Sequence, residues 1–237
     1  MFKSVTTMTV KKIKLFTLPN VLTLANLACG SIATVFALRH NDLRTAFWFI
    51  AAAAAFDFLD GFAARLTRQY SEVGKQLDSL CDMVSFGLAP AAVMFSIYNT
   101  MNGLEPWGYL VFTVALFSAL RLAKFNVDNS QTDSFVGLPT PACVLFVASA
   151  GWLLASGMFV VNPWYIVAVA AVLSYLLISP LHMFALKFRD FSFRNNALRY
   201  CFLILSAAGV AMFHIVAIPF IIMGYVLISL WFSFTSQ

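Results

Sequence analysis

Charge is what this chain has least of. Only 11% of its 237 residues are Asp, Glu, Lys or Arg, while 61% are apolar. A soluble domain carries about a quarter of its residues charged, so a water-facing surface over most of the chain is excluded. CxxC pairs are also missing. Cys29, Cys81, Cys143 and Cys201 each stand alone in or beside an apolar run. They read as small buried hydrophobes, which excludes a thiolate metal site and a disulfide framework. The three histidines, His40, His182 and His214, are scattered with no partner at ligand spacing. A basic stripe with interleaved aromatics is absent as well. The net charge of +5 comes from short clusters between apolar segments, so no nucleic-acid partner is expected. No internal repeat and no low-complexity tract is visible.

Apolar runs are what the chain does have. Mean hydropathy is +0.85, and a helical span of a bilayer needs about 20 apolar residues. The pattern predicts an all-α membrane protein with about eight transmembrane helices, near residues 20–39, 46–66, 77–98, 106–123, 140–160, 163–185, 198–216 and 218–235. That leaves no room for a separate soluble domain, so residues 1–237 read as a single transmembrane domain. Asn102-Gly103, Asn162-Pro163 and Pro219 punctuate the links, and the last two prolines also fit kinks within longer helices. The longest polar loop is 126–134. The first apolar run is expected to stay in the mature protein, because Pro19, Asn20 and Asn26 break the apolar core that a signal peptide needs.

Basic residues orient these spans. With the N-terminus in the cytoplasm, the cytoplasmic links hold Lys3, Lys11, Lys12, Lys14, Arg65, Arg68, Lys75, Arg121, Lys124, Lys187, Arg189, Arg194 and Arg199. Only Arg39 and Arg44 fall on the other side. This asymmetry is the positive-inside signal, and it predicts that both termini are cytoplasmic.

One region breaks the membrane pattern. Residues 57–82 carry Asp57, Asp60, Asp78 and Asp82 at the expected cytoplasmic ends of the second and third spans. Ionisable groups at membrane depth are costly and mark function by default. At about 100° per residue, Asp57, Asp60, Gly61, Ala64 and Arg65 share one helix face. Asp78 and Asp82, at i and i+4, share a face of the next helix. Gly74 and the polar link let the two helices turn back and meet. Converging carboxylates repel unless cations sit between them, and an all-oxygen set suits Mg²⁺ or Mn²⁺. Hard cations between carboxylates hold a phosphate or diphosphate. Gly61 and Ala64 are too small to block a ligand, and Arg65 is placed to pair with a phosphate oxygen. A transporter using carboxylates for ion coupling would show inverted repeats and discontinuous helices, and none is visible.

The pattern Asp57-x2-Asp60-Gly61-x2-Ala64-Arg65-x8-Gly74-x3-Asp78-x3-Asp82 resembles the signature of the CDP-alcohol phosphotransferases at every position. The resemblance implies a six-helix core with a membrane-embedded site open to the cytoplasm. It implies two divalent cations on Asp57, Asp60, Asp78 and Asp82, with Asp82 as general base, and a CDP-linked donor held by Gly61, Arg65 and Ser71. The region of Asn20 and Thr23 is expected to meet the cytidine end of that donor.

Outside the motif, segments 18–23, 85–90, 119–126 and 135–141 resemble the membrane-type phosphatidylserine synthases. The branch departs at Lys124, where arginine is expected, and lysine keeps the charge but loses the fork. This closer resemblance implies CDP-diacylglycerol as donor and L-serine as acceptor, with Arg121, Lys124 and Asn126 as the serine-side candidates. The alternative is the same chemistry on glycerol phosphate, inositol phosphate or choline. It also implies an integral protein of a prokaryotic plasma membrane, and it admits a homodimer.

Overall fold

The computed structural model describes residues 15–127, 135–183 and 193–235. Lys3, Lys11, Lys12, Lys14, Lys187 and Arg189, and most of the 126–134 loop, lie outside the described residues, as does the side chain of Arg194.

Helix α1 (Leu18–Val35) starts where Thr17 accepts a bond from the Asn20 amide and Pro19 sits in the first turn, where a missing N–H costs nothing. A π turn, Phe36–His40, closes it, with Asn41 in the left-handed conformation. Helix α2 (Leu43–Thr67) is capped by Asp42, which accepts from the Thr45 amide at 3.0 Å. It ends at Arg68, again left-handed. Ser71 then caps α3 (Glu72–Asp82) by accepting from the Gly74 amide at 2.9 Å. A π stretch, Met83–Leu88, joins α3 to α4 (Ala89–Asn102) as one continuous rod. A 3₁₀ segment, Pro106–Phe112, leads into α5 (Thr113–Val127).

Two short strands, β1 (Phe135–Val136) and β2 (His182–Met183), pair antiparallel. Between them run α6 (Thr140–Ala155) and α7 (Pro163–Ile178). Gly137 follows β1 at φ +79°, and a Cβ there would lie 2.6 Å from the Leu177 carbonyl oxygen. Neither the angle nor the space admits another residue. Gly137 and Leu138 donate to the carbonyls of Leu181 and Leu176 at 2.9 and 2.8 Å, which clamps the segment onto the end of α7. Helices α8 (Phe193–Phe213) and α9 (Ala217–Thr235) form a hairpin, broken by a 3₁₀ turn at His214–Val216.

The expected rods are all present among the described residues, with different ends. Pro163 and Pro219 begin helices, in first turns, and kink none. The sixth and seventh helices are shorter than their apolar runs suggest. Ser156–Asn162 is a turn around Gly157, at φ +72°, and the chain past Ile178 is extended toward β2. Segments Leu18–His40, Leu43–Thr67, Glu72–Asn102 and Pro106–Val127 are long and apolar enough to cross a membrane. So is Asn196–Ser233, which contains most of α8 and α9, whereas α6 and α7 have 16 residues each.

Large apolar side chains cover the outside, among them Trp48, Phe62, Leu116, Tyr175 and Trp231. That inverts a soluble surface and suits lipid. The α3–α4 rod is the centre of the bundle. Of its most apolar window 72% is buried, against 22–33% for the other four candidate spans. Phe86, Ala89, Ala92, Val93 and Ile97 on this rod meet Phe47, Ile50, Val114, Val144 and Val147 from its neighbours in the core.

Candidate active site

Helix α2 has two unlike faces where it leaves the core. Phe58, Leu59, Phe62 and Leu66 are exposed, while Asp60 is buried and Asp57 half-buried on the other side. On α3, Leu80 is exposed, Asp78 is half-buried and Asp82 is buried. The polar link 68–71 turns the chain so that these inner faces meet, as their spacing predicts.

One carboxylate oxygen from each of Asp57, Asp60 and Asp78 lies within 4.8 Å of the others. Asp82 sits one turn further along α3, beside Asp57. Two unit charges at such a separation repel by about 3–4 kcal/mol at an effective dielectric near 20. Among the described residues no basic side chain neutralises Asp57, Asp60 or Asp78. Oxygen ligands converging without a counter-ion fit a hard divalent cation.

Helix α1 supports this cluster. Asn20, Thr23 and Asn26, at i, i+3 and i+6, are all buried along one face. The Thr23 hydroxyl donates to Asp60 Oδ2 at 2.6 Å. Asn26 Nδ2 donates to Asp82 Oδ1 at 3.1 Å. Asn20 turns its amide to the Leu15 carbonyl at 2.8 Å, and its Oδ1 lies close against Gly74. Thr23 therefore holds a carboxylate in this structure, as well as lying in the segment expected to meet a nucleotide.

Of the expected donor-side residues, Gly61 and Ala64 are half-buried. Arg65 is exposed, spends its Nε on the Gly61 carbonyl at 3.1 Å and lays Nη2 beside Gly61, 3.7 Å from where a Cβ would stand. Ser71 is exposed, and its Oγ is the N-cap acceptor of α3.

The expected acceptor-side residues divide. Arg121 is buried, at 9% exposure; among the described residues it has a 3.4 Å bond from Nη1 to Thr140 Oγ1, and its Nε has no partner. Asp82 is within its electrostatic reach. Lys124 is exposed and lines a small cavity with Arg121, Val136 and Leu177. Asn126 faces α3 instead. Its Nδ2 donates to Ser79 Oγ at 2.8 Å, and its carbonyl accepts from Lys75 Nζ at 3.0 Å.

Sequence reasoning missed Asn26, Ser85 and Thr140 as parts of this site. The signal for Asn26 was present. It continues the three-residue spacing of Asn20 and Thr23 on a helix whose other faces are apolar. Thr140 carried no such signal, because only the fold brings it to Arg121.

Comparison with known proteins identifies the family. A family model described as CDP-alcohol phosphatidyltransferase matches residues 16–176. A protein of Bacillus subtilis named CDP-diacylglycerol–serine O-phosphatidyltransferase is 34% identical over 163 residues, covering 68% of this chain and 86% of the relative. A protein of the same name from Mycobacterium leprae is 34% identical over 190 residues, covering 73% of this chain and 60% of the relative. Another, from Methanocaldococcus jannaschii, is 34% identical over 164 residues, covering 69% and 71%.

Proposed function

The chain belongs to the CDP-alcohol phosphatidyltransferase family, and from that premise we propose that it transfers the phosphatidyl group of CDP-diacylglycerol to the hydroxyl of L-serine, releasing CMP. The observation that carries the chemistry is the meeting of Asp57, Asp60 and Asp78 within 4.8 Å, with Asp82 one turn deeper. Relatives bearing the serine-specific name support the acceptor.

In this reading Asp57, Asp60, Asp78 and Asp82 hold two divalent cations, Mg²⁺ or Mn²⁺, whose charge when bound offsets that of the donor diphosphate. The terminal nitrogens of Arg65 grip a phosphate oxygen. Gly61 and Ala64 let the donor approach the α2 backbone, and Asn20, Thr23 and Ser71 border its nucleotide end. Asp82 takes the proton of the serine hydroxyl. The serine oxygen bonds to the lipid-side phosphorus, and the bond from that phosphorus to the CMP oxygen breaks. Arg121 receives the serine carboxylate, with Lys124 at the rim and Asn126 bracing α3 beside it. A buried guanidinium with an unpartnered Nε suits a small anion, because an uncompensated buried charge is costly.

In this reading both termini and the site lie on the cytoplasmic face of a prokaryotic plasma membrane, which the positive-inside asymmetry supports. Eight crossings suit this placement, with α6 and α7 as the short ones. The test is CMP release from CDP-diacylglycerol by the purified chain, with serine, glycerol 3-phosphate, inositol phosphate and choline offered separately. Release with serine alone is expected. Release with another acceptor and not with serine refutes the assignment.

A further inference from the structure

The best-buried polar residue beside the aspartates is one that the mechanism above leaves without a task. Asn26 is fully buried, and its Nδ2 lies 3.1 Å from Asp82 Oδ1. A carboxylate only accepts, so the amide nitrogen must face it and the amide oxygen must point away. That oxygen is buried and has no hydrogen-bond partner among the described residues. An unsatisfied buried acceptor costs stability, and an apolar residue of similar size would avoid the cost. The amide is therefore ill-suited to be packing.

The backbone around it is pinned to the rod that carries Asp82. Ser85 Oγ donates to the Asn26 carbonyl at 3.0 Å. One turn later a Cβ on Gly30 would lie 2.6 Å from the Ser85 Cα, so α1 runs in contact with the π stretch there. That stretch begins at Met83, directly after Asp82. Wide π turns recur at functional sites because they re-aim side chains within a continuous helix.

We propose that Asn26 is a positioning residue for the transfer: its amide donates to Asp82 Oδ1 and fixes the orientation of that carboxylate in the site. The inference rests on the reading of Asp82 as the general base. Asn26 acts through Asp82 and touches neither donor nor acceptor.

The test uses the full chain purified in detergent, with Asn26→Ala, Asn26→Gln and Asn26→Asp compared in turnover, CDP-diacylglycerol dependence and thermal midpoint. Removing the support behind a reactive group typically costs about 10- to 100-fold. Asn26→Ala is expected to lose that much kcat, with donor dependence unchanged and the midpoint unchanged or raised. Asn26→Gln keeps an amide N–H and recovers part of the turnover. Asn26→Asp has the same shape but no donor, and does not. Parent-level turnover in Asn26→Ala overturns the proposal. So does a kcat loss matched by falls in midpoint and donor affinity, or an Asp variant as active as the Gln variant. If the Ala variant fails to fold, the Gln and Asp pair still decides. Asp82→Asn is assayed alongside. If it keeps turnover, the base assignment itself has failed. If it is inactive while Asn26→Ala is normal, only the role of Asn26 has.

Discussion

Replacing Thr23 by valine isolates one bond in the site. The two side chains have nearly the same shape, so packing against α2 and α3 is kept and only the hydroxyl is lost. That hydroxyl has one proton and two nearby acceptors, Asp60 Oδ2 at 2.6 Å and the Pro19 carbonyl at 3.0 Å. The charged and closer acceptor wins, so the bond lost is the one to the carboxylate. Thr23 is 3% exposed and Asp60 6%, so water cannot replace it. A hydrogen bond to a charged group is worth about 1.5–3 kcal/mol, equivalent to about 10- to 100-fold in an equilibrium constant. Asp60 belongs to the proposed cation site, so the loss should appear in the metal requirement. The assay is CMP release against Mg²⁺ or Mn²⁺ concentration at saturating donor and serine. Thr23→Val should raise the half-activating concentration about 10- to 100-fold, and Thr23→Ser should restore most of it. A variant with unchanged metal dependence but a raised CDP-diacylglycerol requirement would refute the reasoning, and would move Thr23 to the donor.

Three further outcomes follow from the same geometry. Asp60→Asn and Asp78→Asn should each abolish turnover while the protein still inserts and purifies, and near-normal rates at saturating Mg²⁺ or Mn²⁺ would remove the cation site from this cluster. Arg121→Ala should weaken the apparent serine affinity about 10- to 100-fold, the worth of a carboxylate–guanidinium pair, with a smaller change for CDP-diacylglycerol in parallel titrations. Gly30→Ala brings a Cβ to 2.6 Å from the Ser85 Cα, and overpacking of this kind costs about 1–3 kcal/mol, to be read as a lowered thermal midpoint in detergent.

Much of this molecule is legible in its sequence because lipid imposes a simple rule. Each apolar run reappears as a rod, and the spacing of Asp57, Asp60, Asp78 and Asp82 foretells which faces meet. The differences also have physical causes. Hydropathy places the start of the third rod near residue 77, but the helix begins at Glu72. Its first turns are polar, so a hydropathy window does not see them, while the Ser71 cap does predict them. The π stretch after Asp82 leaves no mark in hydropathy at all. Asn126 reads as a ligand-side amide because its position near Arg121 is local information. Its bond to Ser79 is set by how α5 crosses α3, which no spacing encodes. The pairing of β1 with β2 is equally invisible, since two residues on each side carry no pattern.

The burial of the α3–α4 rod has a consequence for how the protein is made. Synthesis runs from the N-terminus, and elements join the structure as they emerge. When Asp82 leaves the ribosome, Asp57, Asp60, Thr23 and Asn26 have already been made, so every partner that holds the four carboxylates in place is available. The walls behind Ala89, Val93 and Ile97 are not. Beyond Phe47 and Ile50 of α2, they come from α5, α6 and α7, which are translated later. The carboxylate cluster is therefore complete before Arg121 and the later helices exist, and the central rod must wait in the membrane with one flank bare until those helices close over it.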